Sequence, residues 1–243
     1  MSTARLITIP FSHYCEKARW ALDLAGVDYR EEPHAPMVHW VFTLPRTGTR
    51  TVPVLLVDEK KLTESSDIVR YADTRLPKEK SLFPEAYRAE IDALVARYDE
   101  KLGVPVRRLA WCHITESAPL FAYLTSRLPP TEARWALRGE RVLRALMHRA
   151  FNVSARARER MREKVLAELA IAAERLKGRR YLVGDAFTAA DLTFASLISP
   201  VLLPDVSEEE SRARDAAFAD LIAEIRATPG GAHAMRVIRE HRP

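Results

Sequence analysis

The chain has 243 residues, and its 47% hydrophobic and 29% charged content excludes a disordered or low-complexity protein. Its net charge of +5 is modest for this length, so charge alone does not define a partner. Two cysteines, Cys15 and Cys112, are too few for a disulfide framework. We therefore expect a reducing, cytoplasmic environment.

The chain shows no pattern that predicts a membrane partner. The first residues lead directly into a strand pattern without the apolar core of a secretory signal. The longest apolar stretch, residues 187–203, is interrupted by Asp191 and Pro200. These interruptions favour a buried helix over a membrane span.

Strand and helix patterns alternate over residues 1–76. Strands are predicted at 6–9, 27–31, 54–57 and 60–62. Helices are predicted at 15–24, ending at Gly26, and at 65–75. Residues 33–50 contain three prolines and Gly48, so no long element is predicted there. The order of these elements is typical of an α/β thioredoxin-like domain.

A second, all-helical domain is predicted over residues 85–243, after a proline-bounded linker at 77–84. Its long helices are predicted at 85–102, 131–150 and 154–177. Gly103 and Pro105 should kink or break the first of these helices. Further along, Thr188 and Asp191 have the spacing of a helix-capping pair, and we expect a structural role for them.

Two short motifs carry the chemistry of the first domain. Ser12 and Cys15 place a hydroxyl and a thiol at the start of a helix that follows a strand. The unpaired N–H groups and the dipole of a helix start favour an anion. The second motif is Thr51-Val52-Pro53-Val54, followed by Glu64-Ser65 at another helix start. Val-Pro at the start of a strand predicts a fixed proline turn, in which the bond before Pro53 is either cis or trans.

The order and spacing of these two motifs resemble the cytosolic glutathione transferase family, of the serine type. The resemblance is strongest over residues 5–76 and again over 180–199, around the capping pair. It implies a thioredoxin-like domain followed by an all-helical domain. It also implies conjugation of glutathione to small electrophiles, as in detoxification. Glutathione would be a co-substrate, no metal would be needed, and the chain would form a homodimer.

By this resemblance, Ser12 occupies the position of the activating serine. A hydroxyl that donates to sulfur, next to a helix start, lowers the pKa of a thiol. The alternative is that Ser12 is only the helix cap. Cys15 lies where related redox proteins keep a buried resolving cysteine. It is either a small packed residue or a thiol that forms a mixed disulfide with glutathione.

Four further residues would hold glutathione in this resemblance. The resemblance implies that Pro53 is the cis-proline of this fold, which would let the Val52 backbone pair with the cysteinyl backbone of glutathione as a strand edge does. Glu64 would bind the γ-glutamyl ammonium, and Ser65 with its N–H would bind the γ-glutamyl carboxylate.

The glycyl carboxylate of glutathione needs a cation. Relatives often place a lysine directly before the Val-Pro pair, but this chain has Thr51 there. Arg50 is therefore the candidate, with Arg46 and His39 behind it.

The pocket for the electrophile is expected between the two domains, because pockets favour domain junctions. Its candidate lining residues are Tyr14, Tyr98, Arg108 and Trp111, with Arg107 and Cys112 as further candidates. No group of His, Cys, Asp and Glu has the spacing of a metal site.

Two alternative functions stay open at this point. One is a glutathione-dependent thiol transferase or reductase that uses Cys15. The other is a non-catalytic binding module, which the arginine-rich region 134–164 and Thr51 favour. Nucleic-acid binding through this region is disfavoured, because no aromatic residues interleave with the cations of 156–164.

Overall fold

The computed structural model describes residues 4–243. The predicted start of the first domain, residues 1–3, lies outside the described residues. A four-stranded mixed sheet is followed by a set of packed helices, as predicted for the fold class. Among residues 4–243, no helix is both long and apolar enough to cross a membrane.

The sheet has the strand order β2-β1-β3-β4. Its strands are β1 (Ala4–Thr8), β2 (Tyr29–Pro33), β3 (Val54–Val57) and β4 (Lys60–Leu62). β1 is parallel to β2 and antiparallel to β3, with Leu6 opposite Leu55. Both leucines are fully buried. The predicted strand 27–31 begins two residues late, because Val27 belongs to the turn after the first helix.

Three helices belong to the sheet domain: α1 (His13–Leu24), α2 (His39–Thr47) and α3 (Ser65–Asp73). α2 lies in the region where no long element was predicted, so that prediction was wrong. Pro33 and Pro36 precede α2, and Gly48 ends it in the left-handed conformation. Pro45 alone lies inside the helix, which is short enough to tolerate the lost backbone bond.

The helices of the second part are α4 (Arg88–Arg97), α5 (Val104–Ile114), α6 (Ala118–Thr125), α7 (Pro130–Arg138), α8 (Glu140–Ala150), α9 (Ala155–Arg175), α10 (Ala189–Ile198), α11 (Glu208–Arg214), α12 (Ala216–Ala227) and α13 (Pro229–His241). The predicted single helix 131–150 is two helices divided at Gly139, which corrects the prediction. Between α4 and α5 the chain does not break at Gly103. It continues as one π-helical segment, Tyr98–Gly103, which we call the π turn.

α10 forms the centre of the helical part, and all of its residues are buried. The predicted capping pair is confirmed, because Thr188 and Asp191 form a reciprocal capping box. The Asp191 carboxylate also accepts hydrogen bonds from the Leu182 N–H at 2.9 Å and from His233 Nε2 at 3.1 Å. It therefore joins the start of α10 to α13 and to the preceding loop.

Candidate functional site

A cavity of about 810 Å³ lies between the sheet domain and the helices. On one side it is lined by the loop before α1, the start of α2 and the segment before β3. On the other side it is lined by α5, α6, the end of α8 and the segment after α10. Its position agrees with the expectation that a pocket forms where the two parts meet.

Ser12 is half-buried in this cavity at the start of α1. It has the extended backbone of an N-cap residue, but its side chain accepts no hydrogen bond from the helix N–H groups. The geometry therefore gives no support to the alternative in which Ser12 is only a cap. Ser12 also lies at a helix start, where unpaired N–H groups suit an anionic ligand atom.

Cys15 is fully buried beneath the first turn of α1. Burial raises the pKa of its thiol to about 11, and the charge of Arg19 offsets only part of this effect. A buried thiol with a raised pKa is a poor nucleophile at neutral pH. The position of Cys15 thus matches a small packed residue rather than an exposed redox thiol. Cys112 is buried as well.

Tyr14 lines the cavity, but its hydroxyl already donates a hydrogen bond within the protein. It donates to the backbone oxygen of Asp99 in the π turn at 2.6 Å. Burial raises the pKa of Tyr14 to about 12, so this side chain stays neutral. A phenol that donates to a carbonyl cannot also donate to a thiolate, so Tyr14 forms part of the wall rather than the activating group.

Three further side chains, His13, Lys17 and Ser66, join α1 and α3 to the π turn by hydrogen bonds. His13 Nε2 donates to the Gly103 carbonyl oxygen at 3.0 Å. Lys17 Nζ, fully buried, donates to the Asp99 carboxylate at 2.8 and 2.9 Å and to Ser66 Oγ at 2.7 Å. Ser66 in turn donates to Asp99 at 2.6 Å. These bonds fix the positions of the starts of α1 and α3 relative to the π turn.

The segment before β3 contains the predicted cis bond between Val52 and Pro53. Val52 lines the cavity together with Arg50 and Thr51, whereas Pro53 is buried behind them. The Arg50 guanidinium lies 5.1 Å from the ring centre of Trp40 and has no ion pair within residues 4–243. His39 donates from Nε2 to the Arg50 backbone oxygen at 2.9 Å and so orients this segment.

Glu64 and Ser65 lie at the start of α3, which packs against α1. Ser65 is buried and Glu64 is exposed. Neither is among the residues that line the cavity, so the structure brings them to its neighbourhood rather than into it. The Glu64 carboxylate forms no ion pair in the described part of the chain and acts electrostatically on Tyr14.

Two of the four main candidates for the electrophile pocket, Tyr98 and Arg108, do not line the cavity, and neither does the further candidate Cys112. Tyr98 is fully buried against Phe194 in the helical core. Arg108 does not line the cavity, and its guanidinium lies 3.4 Å from the Phe151 backbone oxygen. Both corrections follow from helix geometry, because the π turn and α5 rotate these positions away from the cavity.

The face of α5 that lines the cavity consists of Arg107, Ala110, Trp111 and Ile114, at helical spacing. Trp111 stacks on Phe151 with ring centres 5.1 Å apart and meets the edge of Phe11 at 6.3 Å. Sequence reasoning assigned no role to Phe11 or Phe151. The position of Phe11 directly before Ser12 is a signal that could have been used, whereas nothing local places the end of α8 at the cavity.

The fold and the cavity define a class of protein in which a thioredoxin-like domain and a helical domain enclose a cavity between them. Two family models match the chain: "Glutathione S-transferase, N-terminal domain" over residues 6–80 and "Glutathione S-transferase, C-terminal domain" over residues 135–216. The chain belongs to the glutathione transferase family. Within residues 4–243, no group of three or more His, Cys, Asp or Glu side chains could hold a metal ion.

Solved structures with the same fold include three that illustrate its range. A glutathione S-transferase III in apo form is 18% identical, with all of both chains covered and a TM-score of 0.61. A glutathione S-transferase I bound with lactoylglutathione is 18% identical, with 97% of this chain and 100% of that chain covered and a TM-score of 0.60. The β-etherase LigF from Sphingobium sp. is 18% identical, with 97% and 99% covered and a TM-score of 0.61. At this identity the likeness concerns the fold alone. No curated protein shows a significant sequence match to the chain.

Proposed function

We propose that this chain conjugates glutathione to a small electrophile and that Ser12 stabilises the glutathione thiolate. One observation carries the proposal: Ser12 lines the cavity at the start of α1, and its side chain does not cap the helix. The sulfur of glutathione would attack an electrophilic carbon. A carbon–sulfur bond forms, the leaving group departs with its electron pair, and the thiol proton goes to solvent.

The energetic demand on Ser12 is modest. A free thiol has a pKa of about 8.5, so little thiolate exists at neutral pH. Each unit by which the pKa falls requires about 1.4 kcal/mol of preferential thiolate stabilisation. A hydroxyl donor and the N–H groups of a helix start act together on one sulfur atom, and both favour the anion.

The remainder of glutathione would lie along the sheet domain. The Val52 backbone beside Pro53 offers a strand edge for the cysteinyl residue, and the start of α3 offers Ser65 and Glu64 for the γ-glutamyl end. Arg50 would bind the glycyl carboxylate in place of the lysine that Thr51 replaces. A structural neighbour with the same fold is bound with lactoylglutathione, which supports a glutathione-type ligand.

Two assays test the proposal directly. Calorimetric titration with glutathione should show saturable binding at millimolar concentration or below, and a conjugation assay with chlorodinitrobenzene should show turnover that depends on Ser12. Absence of both binding and turnover would contradict the transferase assignment and leave a binding module as the remaining interpretation.

Homodimer formation and a cytoplasmic location are parts of the same proposal. In the dimer, the sheet domain of one protomer would pack against the helical domain of its partner. Light scattering coupled to size-exclusion chromatography tests this. A dimer mass that persists at micromolar protein is expected, and a monomer mass would contradict it.

A further inference from the structure

The cavity contains more positive charge than its own carboxylates neutralise. Two of its arginines are paired: Arg19 with Glu16 and Glu31, and Arg242 with Glu16 and Asp23. Three others have no carboxylate partner within residues 4–243, namely Arg50, Arg107 and Arg127. Among the described acids of the lining, Asp205 alone has no ion pair.

The sheet domain forms one wall of the cavity, the sheet wall, and α5, α6 and the end of α8 form the other, the helical wall; Arg50 lies on the first, and Arg107 and Arg127 lie on the second. Arg50 belongs to the segment before β3, where the glycyl carboxylate of glutathione is proposed to bind. Arg127 follows α6 and is held by Tyr123, whose hydroxyl accepts a hydrogen bond from it at 2.8 Å. Arg107 is on α5, is exposed, and forms no hydrogen bond or ion pair within the described residues. It is therefore the cation of the helical wall that is free to bind a ligand.

Arg107 lies one helical turn after Gly103, whose carbonyl oxygen accepts a hydrogen bond from His13 at the start of α1 at 3.0 Å. Burial, and after it the charge of Arg107, lower the pKa of the His13 imidazole to about 3. The same charge acts on Tyr14, the residue after His13. Since Ser12 directly precedes His13, a ligand group on Arg107 would lie near the atom that reacts.

The wall next to Arg107 is aromatic. Trp111 follows Arg107 by one helical turn on the same face of α5. Phe151 stacks on Trp111 with an interplanar angle of 11°, and Phe11 meets it edge-on at 72°. An aromatic ring of a ligand would pack here against an apolar ring face or against ring edges. Aromatic pairs prefer these stacked and edge-to-face arrangements.

We infer that the second substrate is an aryl electrophile that carries a carboxylate, with its ring against Trp111 and its carboxylate on Arg107. This inference rests on the proposed function and names the substrate class of the same site. A guanidinium binds a carboxylate through two parallel hydrogen bonds, so it fixes orientation as well as charge. Of the two arginines on the helical side without a carboxylate partner, Arg107 alone makes no hydrogen bond within the described residues, so we match it with the single negative charge of a carboxylate rather than with a dianionic phosphate.

A matched pair of probes isolates the carboxylate: 4-chloro-3,5-dinitrobenzoate and its methyl ester, both activated for substitution. In each, the glutathione sulfur attacks the carbon that bears chlorine, the carbon–sulfur bond forms, and chloride leaves with the electron pair. The carboxylate or ester group is unchanged. Dividing each kcat/KM by the rate constant of the uncatalysed reaction removes the difference in intrinsic reactivity.

The expected result is a preference for the carboxylate in the natural chain. Arg107→Gln should reduce the normalised kcat/KM for the carboxylate by about 10-fold, the low end for a charge-assisted hydrogen bond, and leave that for the ester unchanged. Arg107→Lys should keep part of the preference, because the charge remains without the fork geometry. Arg160→Gln removes the same charge from an exposed position of α9 and should change neither value.

Three results would overturn the inference. Equal normalised values for both probes in the natural chain would remove the carboxylate preference while leaving the transferase activity in place. An equal loss for both probes in Arg107→Gln would assign Arg107 to the thiolate. A raised KM for glutathione in this variant would assign it to glutathione.

A binding measurement separates this inference from the proposed function. If neither probe is turned over, the proposed function fails. Quenching of tryptophan fluorescence by 3,5-dinitrobenzoate and by its methyl ester then decides the second question. Tighter binding of the acid that is lost in Arg107→Gln would retain an anionic aryl site, and equal binding would remove it.

Discussion

The two walls of the cavity use their polar groups differently. On the sheet side, the polar groups that line the cavity lie at backbone features: the start of α1 at Ser12 and the segment before the cis peptide at Pro53. On the helical side, they are side chains on one face of a regular helix, such as Arg107 beside Trp111. Backbone features fix the position of a ligand, whereas a helix face can vary without loss of fold. The first wall would therefore hold a ligand through groups fixed by the backbone, and the second through side chains.

The contacts that join the walls should have the largest effect on stability. Lys17→Met leaves the Asp99 carboxylate without its buried cation, and breaking a buried pair costs about 3 kcal/mol of unfolding free energy or more. Denaturant unfolding measures this cost. Lys101→Met is the matched control, because Lys101 is exposed on the same π turn and pairs only with exposed Glu100. Equal effects of the two substitutions would show that the buried pair contributes nothing particular.

A substitution in the sheet wall should affect the chemical step without affecting glutathione binding. Ser12→Ala should reduce turnover by about 100-fold, the loss typical of one donor to a developing anion, and leave the KM for glutathione nearly unchanged. Steady-state kinetics with chlorodinitrobenzene measures both quantities. Cys15→Ala should retain turnover, since its thiol is buried. Loss of activity in the Cys15 variant with retained activity in the Ser12 variant would favour thiol-transfer chemistry instead.

At the start of α3 the opposite kinetic pattern is expected. Glu64→Gln and Ser65→Ala should each weaken glutathione binding by about 1.5–3 kcal/mol, the range for hydrogen bonds to charged groups. Because the γ-glutamyl end is remote from sulfur, kcat should stay the same while KM rises. Arg50→Ala should act in the same direction and more weakly, since Arg50 is exposed. Calorimetric titration with glutathione is the measurement, and unchanged affinity in all three would place glutathione elsewhere.

The smallest effect concerns the close approach of the walls at Gly103. A Cβ atom added there would lie 2.5 Å from Tyr14 Oη and 3.3 Å from Leu197. Gly103→Ala should therefore cost about 1–3 kcal/mol, as overpacking does, and should displace Tyr14 from Asp99. Gly139→Ala is the control, since its Cβ would meet only ordinary contacts at 3.5 Å. If the two alanine variants unfold at the same denaturant concentration, the packing around Gly103 has room for a Cβ atom.

The motifs of the sheet domain have local sequence signals. A Ser-x-x-Cys after a strand, a Val-Pro before another and a Glu-Ser at a helix start are each short and contiguous. The cis bond at Pro53, which the resemblance implied, and the predicted capping box at Thr188 are confirmed. α2 was missed because four helix-breaking residues surround or enter it, and only tertiary packing makes nine helical residues stable there.

The helical wall could not be predicted to the same degree. Tyr98 and Arg108 were assigned to the pocket from their position in the chain, but the π turn changes the helical phase between α4 and α5. A phase shift of this kind has no strong sequence signal, and it decides which side of α5 lines the cavity. Arg107, Trp111 and Phe151 meet only through the packing of separate helices, so their cluster becomes visible in the structure alone.

The central claim is that Ser12 lowers the pKa of the thiol of bound glutathione. Titration of the thiolate absorbance of the glutathione complex measures this pKa for the natural chain and for Ser12→Ala under conditions that saturate both. The account predicts a pKa at least about one unit below the free-thiol value of about 8.5 in the natural chain, and a return toward that value in the variant. The same pKa in both proteins would contradict the account and leave Ser12 without a role in the chemistry.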